Sequence, residues 1–235
     1  MTTLILLRHG RSTANTAGVL AGRTPGVELD DRGREQAAAV VDRLAALPIA
    51  SVVTSPLERC RQTVAPLAAA RGLEPVVEDD LAEVDYGAWT GRKITDLLKE
   101  DLWKVVQAHP SAATFPDGES LAGMQARAVA AVRRHDARIA EAHGPQAVWL
   151  ACSHGDVIKA ILADALASHL DNFQRIVVDT CSVSVVTYPE LRPFVARMNE
   201  QSGDVASLVP KPKPAEGEEQ PVNASDAVVG GSTNA

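Results

Sequence analysis

Four consecutive apolar residues, Leu4-Ile5-Leu6-Leu7, run directly into Arg8-His9-Gly10, and this junction constrains the fold strongly. A short unbroken apolar run fits a strand covered on both faces rather than the single apolar stripe of a surface helix. Such a strand needs helices on each side of its sheet. The pattern returns late in the chain, where Ala147-Val148-Trp149-Leu150-Ala151-Cys152 runs into Ser153-His154-Gly155. Each His-Gly pair therefore falls just past the carboxyl end of a buried strand. In open α/β sheets that edge is where ligands bind.

The segments between these strands alternate in period. Ala37, Val40, Val41, Leu44 and Leu47 recur at helical spacing behind the N-cap candidates Asp30 and Asp31. Ser51-Val52-Val53-Thr54 reads as the next strand. Ser55-Pro56-Leu57-Glu58 follows it, and serine, proline and glutamate in that order spell a capping box opening a helix. Leu57, Cys60, Val64 and Leu67 give that helix its buried face. Pro75–Val77 reads as a short third strand before an acidic loop that ends in Tyr86-Gly87-Ala88-Trp89-Thr90-Gly91. Residues 92–118 read as one short helix and a proline-containing loop. A long helix over about Glu119–Ala142 carries Leu121, Met124, Ala128, Val132 and Ile139 inward. Val157, Ile158, Ile161, Leu162 and Ala165 mark a helix after the second His-Gly pair, and Ile176–Val178 and Val183–Thr187 read as closing strands. Alternating strands and helices with apolar strands predict a three-layer α/β/α sandwich around a mainly parallel sheet.

Composition narrows the class. The 235 residues are 46% hydrophobic and 23% charged, with 30 acidic against 23 basic side chains and a net charge of -7. An acidic chain with 3 Trp, 2 Tyr and 3 Phe lacks both the basic footprint and the stacking surface of a nucleic-acid binder. No apolar stretch approaches the roughly 18 residues of a membrane span, and Arg8, His9 and Arg11 interrupt the first 20 residues too early for a secretory signal. Cys60, Cys152 and Cys181 lack C-x-x-C spacing and read as buried small hydrophobes. These features predict a cytoplasmic protein. Gln201–Ala235, with four prolines and several acidic residues, holds too little apolar surface to order itself and reads as a disordered tail. The expected folded domain is 1–200, and a homo-oligomer is compatible with it.

The candidate chemistry gathers at one sheet edge. His9 and His154 occupy matching positions, and glycines Gly10 and Gly155 let backbone approach a ligand closely. Arg59 falls in the first turn after the second strand, at the same edge, beside N–H groups that favour an anion. Arg8 and Arg59 can each present a bidentate fork to phosphate oxygens. On spacing alone Arg59 fits equally well a surface pair with Glu58 or Glu35. His109, His135, His143 and His169 have no ligand-like spacing.

Leu6-Leu7-Arg8-His9-Gly10-Arg11-Ser12, with Asn15 three residues on, resembles the Arg-His-Gly signature of the histidine phosphatase (phosphoglycerate mutase-like) superfamily. The resemblance continues through Ser55-Pro56-Leu57-Glu58-Arg59-Cys60-Arg61-Gln62-Thr63 and Leu81 to Gly91. Pro116-Asp117-Gly118-Glu119-Ser120 and Ser153-His154-Gly155-Asp156 complete it. The tripeptide alone is weak; five blocks in the family's order, spanning residues 4 to about 190, are specific. The resemblance implies a phosphatase acting on a small phosphorylated metabolite, without metal or cofactor. His9 would be the nucleophile, Arg8, Arg59 and His154 the phosphoryl clamp, and Asn15 a neutral hydrogen-bond donor to the phosphate. Glu83 would be the proton donor. Asp79, Asp80 and Asp85 lie close by in a loop that reads equally as a solvated acidic turn, and Glu83 is chosen on the Leu-x-Glu-x-x-x-Gly-x-Trp-x-Gly register. Arg11 stands where many family members carry Glu or Gln. It and Arg23, in the Ala21–Gly26 loop, are expected at the pocket mouth, with a surface salt bridge as the competing account. A phosphoglycerate-type mutase is the alternative function. A non-catalytic phosphate- or phosphoprotein-binding module is a third, disfavoured because His9 and Glu83 are both present.

Overall fold

The computed structural model describes residues 1–201. Strands β1 (Thr2–Arg8), β2 (Ile49–Thr54), β3 (Val76–Val77), β4 (Val148–Ser153), β5 (Val183–Tyr188) and β6 (Phe194–Glu200) form one sheet in the order β3-β2-β4-β1-β5-β6. The first four are mutually parallel, while β5 runs antiparallel to β1 and β6 antiparallel to β5. The expected α/β/α sandwich with a mainly parallel sheet is what forms.

Period-two alternation explains the layers. Leu4 and Leu6 of β1, Val53 of β2, and Trp149 and Ala151 of β4 enter one apolar cluster. It also contains residues of α6 (Leu121–His143), α7 (Gly155–Ala165) and the 92–118 segment. Ile5, Leu7, Val52, Leu150 and Cys152 point the other way, onto Val40 of α2 (Asp31–Arg43) and onto Cys60, Val64 and Leu67 of α3 (Glu58–Arg71). Burial on both faces is why β1 carries no polar residue between Thr3 and Arg8.

Several elements depart from expectation for local reasons. Helix α2 stops at Arg43, so Leu44 is its C-cap and Leu47 is exposed. Pro48 disfavours helical backbone at the residue before it. Helix α3 opens at Glu58 with an extended Leu57 before it and no side-chain cap; the expected capping box does not form. Helix α6 starts two residues later than read, at Leu121, because Ser120 caps it by accepting from the Gly123 N–H. Residues 92–118 hold more helix than one short piece: α4 (Ile94–Leu97), α5 (Asp101–Ala108) and a 3-10 turn at Pro110–Ala112. Trp103 of α5 stacks near Trp89, ring centroids 6.1 Å apart, which ties this segment to the core. Ile176–Val178 is not a strand, since the Val178 carbonyl turns to accept from the Arg8 guanidinium at 2.7 Å. Strand β6 was not expected, because its residues are largely exposed and give no apolar alternation. Gln201, read with the tail, bonds from its Nε2 to Asp179; the tail reading for residues 202–235 lies outside the described residues.

Tight backbone contact seats the loop after β1. Gly10 amide N–H donates to Thr63 Oγ1 at 2.9 Å, and a Cβ at Gly33, in the first turn of α2, would stand 2.0 Å from the Arg11 carbonyl oxygen. Alanine at position 33 should gain about 1 kcal/mol in helix propensity, yet the backbone clash opposes it by more. Gly33→Ala is therefore expected to destabilise the protein by about 2 kcal/mol in urea unfolding and to lower turnover through the displaced loop. A gain in stability would show that the loop yields freely.

Candidate active site

Strand register brings the two histidines together. Arg8 pairs with Ser153 across β1 and β4, and the His9 N–H extends the ladder to the Ser153 carbonyl at 3.0 Å. The next residue on each strand is thus His9 or His154, and their rings lie 5.2 Å apart between centroids. On the far side of β4, Thr54 of β2 pairs with Cys152, and the Ser55 N–H reaches the Cys152 carbonyl at 3.0 Å. Ser55, His154 and His9 therefore leave three neighbouring parallel strands in a row.

Hydrogen bonds set the tautomers. The Gly10 carbonyl accepts from His9 Nδ1 at 2.7 Å, so the neutral ring keeps a lone pair on Nε2. Arg59 Nη2 donates to His154 Nδ1 at 3.1 Å. Because a guanidinium can only donate, the His154 proton sits on Nε2, 2.8 Å from Ser55 Oγ. Both rings are held well below the ordinary histidine range, chiefly by burial. For His9 the positive charges of Arg59 and Arg8 add to that effect, and for His154 that of Arg59 comes next. Both rings are neutral at neutral pH.

The arginines are buried rather than superficial. Arg8 is fully buried, and burial pulls its guanidinium pKa down against the opposing fields of Glu83, Asp179 and Asp156. Arg59 is 2% exposed and donates from Nη2 to the Gly22 carbonyl at 2.9 Å as well as to His154. The alternative surface pairing with Glu58 or Glu35 does not occur. Arg59 Nη1 is buried and lacks a hydrogen-bond partner among the described residues. A buried donor left unmade costs about 1–3 kcal/mol, and a phosphoryl oxygen would satisfy it. Gly155 opens α7, whose amino-terminal N–H groups face the same edge.

Glu83 closes the other side. It is 4% exposed, and its Oε2 stands 3.8 Å from His154 Nδ1. Burial first, and then the charge of Asp156, pushes its carboxyl up to about 7, against Arg59 and the Val84 N–H, which donates to Oε1 at 2.9 Å. Asp156 is itself buried, accepting from the Tyr86 hydroxyl at 2.9 Å and facing Lys159 Nζ at 3.5 Å. The loop is pinned by Arg127, which donates to the carbonyls of Asp80, Ala82 and Glu83 and pairs with Glu119 at 2.6 Å. Glu119 in turn accepts from the Asp85 N–H at 2.9 Å. That contact holds Asp85 in the loop's frame, whereas Glu83 reaches His154.

The remaining expected residues divide. Arg23 lies beside Glu83, donating from Nε to the Glu83 carbonyl at 2.8 Å and pairing with Glu119 at 2.9 Å. Arg11 is bound to Asp30 at 2.6 Å, so the salt-bridge account describes it in this structure. Asn15 commits Oδ1 to the N–H and hydroxyl of Ser12, which leaves Nδ2 as its donor. Sequence reasoning assigned no site contact to Ser55, Thr63, Arg127 or Tyr86. Their sequence signal was present in the motif blocks, except for Arg127, which reads as one more charge on α6. Among the described residues no group of three or more His, Cys, Asp or Glu side chains is arranged to hold a metal ion, and no helix is long and apolar enough to cross a membrane.

This geometry agrees with comparison to known proteins. The model of the histidine phosphatase superfamily (branch 1) matches residues 4–201. Phosphoserine phosphatase 1 of Hydrogenobacter thermophilus is 30% identical over 202 residues, covering 85% of this chain and 92% of that protein. The protein named probable phosphoglycerate mutase GpmB, from an Enterobacter species, is 27% identical over 212 residues, 88% of this chain and 95% of its own length. Some mycobacterial relatives, 33% identical, are longer, and the chain spans 54% of them. The solved structure of YhfR from Bacillus stearothermophilus is 26% identical and superposes with a TM-score of 0.77 over 86% of this chain and 98% of that one. The chain belongs to the histidine phosphatase superfamily, branch 1, and with it to the phosphatases.

Proposed function

We propose that this protein hydrolyses a small phosphorylated metabolite through a phosphohistidine on His9, with Glu83 as proton donor. The observation that carries the reading is the His9 tautomer. With Nδ1–H held by the Gly10 carbonyl, Nε2 is a neutral nucleophile that can attack phosphorus in line. Arg8 and Arg59 take the equatorial oxygens and offset the charge that develops in transfer, the part a metal ion plays elsewhere. An arriving phosphate dianion draws Arg59 Nη2 off His154 Nδ1, and a solvent proton taken up at the vacated Nδ1 then makes that ring a further donor. Asn15 Nδ2 and the Gly155 N–H complete the cradle, and Arg23 lines the rim next to Glu83. Arg11 can join only by leaving Asp30. The protonated Glu83 gives its proton to the departing oxygen, and the resulting carboxylate takes one back from the water that attacks phospho-His9.

The trapped phosphoenzyme should be acid-labile and alkali-stable, and His9→Ala should abolish both it and turnover, with EDTA present throughout. Near wild-type turnover in His9→Ala would refute the nucleophile.

A donor that titrates at about 7 works in its protonated form. The value of kcat/KM for an alkyl phosphate should thus fall about tenfold per pH unit above that point. Below it the profile should stay flat with respect to His9, whose lowered pKa keeps the ring neutral. Glu83→Gln should remove the alkaline limb and slow alkyl esters by about 10²–10⁴, while aryl phosphates with good leaving groups lose far less. Equal losses on both ester types would assign Glu83 a positioning role.

A phosphomutase is the competing reading, given the likeness to GpmB. A mutase must shield its phosphohistidine from water until the product turns round. The family resemblance implies larger mutases with a longer insertion where this chain has only 26 residues, Arg92–Asp117, between Gly91 and Gly118; GpmB, aligned over 95% of its own length, has no room for one. The shorter cover supports hydrolysis as the faster exit. Supplied with 2- or 3-phosphoglycerate, the protein should show little interconversion, with or without 2,3-bisphosphoglycerate. Primer-dependent interconversion that outpaces phosphate release would reverse the assignment.

A further inference from the structure

We infer that Ser55 is the positioning residue for His154, holding its ring by accepting the Nε2 proton so that Nδ1 faces the phosphoryl site. The local sequence suggests a different job, since Ser55-Pro56-Leu57-Glu58 has the form of a helix cap. The helix does not use it: α3 begins at Glu58, and Ser55 Oγ is only 3.4 Å from the Leu57 N–H, a weak contact. Pro56 instead favours extended backbone at Ser55, which continues β2 by one residue beside β4. That extension aims the fully buried hydroxyl at His154 Nε2, 2.8 Å away.

The consequences follow from counting donors. Arg59 occupies His154 Nδ1 as a donor, so the ring must place its proton on Nε2, where a buried N–H needs an acceptor. Ser55 supplies a short one; the other group near Nε2 is the Cys60 thiol at 3.5 Å, a weak acceptor. A hydroxyl acceptor also suits the imidazolium. When a phosphoryl anion takes over the Arg59 donor and Nδ1 gains a proton from solvent, the Nε2–H stays with Ser55 and the ring keeps its place. Removing the hydroxyl leaves both states without a proper partner and frees the ring to turn. The effect belongs in the transition state, where the His154 contact to phosphoryl oxygens is strongest, more than in substrate binding.

The test rests on the phosphatase reading in its kinetic arm only. Ser55→Ala should lower kcat about ten- to hundredfold, the usual cost of removing the outer partner of a working histidine, with KM changed less than threefold. In a His154→Ala background the same substitution should cause no further loss. Nitrogen-15 NMR of the wild-type imidazole without ligand should show His154 protonated on Nε2, with the tautomers mixed in Ser55→Ala. This spectrum reads the wild-type protein even if the variant does not fold or the substrate class is wrong. Wild-type kcat in Ser55→Ala, a loss that adds fully to that of His154→Ala, or an Nδ1–H tautomer in the wild type would each overturn the inference.

Discussion

The parallel pairing of β1 with β4 is the constraint on which the site depends. Pairing Leu7 with Cys152 and Arg8 with Ser153 makes the two His-Gly turns emerge level, and β2 sets Ser55 on the opposite flank of His154. A slip of one residue would turn every strand side chain to the other face, exchanging the two apolar clusters and separating the rings. The apolar alternation of β1 and β4 that builds the two cores is thus also what aligns the chemistry. Helix packing enters through the same strands, because α3 brings Thr63 to the loop that carries His9 and Arg59 to His154.

Two buried guanidinium groups are costly in a low-dielectric interior unless their charge is answered. Here the carboxylates of Glu83, Asp156 and Asp179 answer Arg8 from the same interior. Their presence explains how an acidic protein keeps a cationic pocket. Burial, with the arginine charges adding to it, holds both histidines neutral, and burial, with the charge of Asp156 adding to it, holds the Glu83 carboxyl partly protonated near neutrality. One cluster therefore sets a neutral imidazole and a protonated acid at the same pH, a pairing that in isolation these side chains would not share and that the proposed reaction needs.

Much of this was legible in the sequence, and the failures are instructive. The strands β1 and β4 and the placement of His9, His154, Arg59 and Glu83 could be read because burial on both faces leaves a simple apolar run, and because motif blocks preserve order. The Ser55 capping box misled because its residue pattern is real; the tertiary partner His154 outcompetes the helix N–H groups for the hydroxyl. Strand β6 was missed because an edge strand with mostly exposed residues has no apolar periodicity to show. The 92–118 segment reads as a single short helix and a loop because neither α4 nor α5 has a side-chain cap to mark where it begins. Arg127 carries no local signal at all. Its role exists only because α6 passes beneath the acidic loop, where one guanidinium collects three carbonyls.

That loop anchoring bears on how one carboxyl can serve both halves of the proposed reaction. A proton donor that must become a base for water a moment later cannot shift position between the steps. The Glu83 backbone is fixed by Arg127 and Arg23, and one carboxylate oxygen by the Val84 N–H. That leaves Oε2 to face His154. Asp156, which keeps the Glu83 proton affinity high, is itself locked by Tyr86 and Lys159, so the tuning field stays constant while the Glu83 proton leaves and returns. A pKa close to the working pH makes the two transfers comparably easy. A carboxylate with the ordinary affinity would favour the second half at the expense of the first. The buried aspartate, tyrosine and lysine behind the pocket are therefore as much a part of the proposed proton transfer as Glu83.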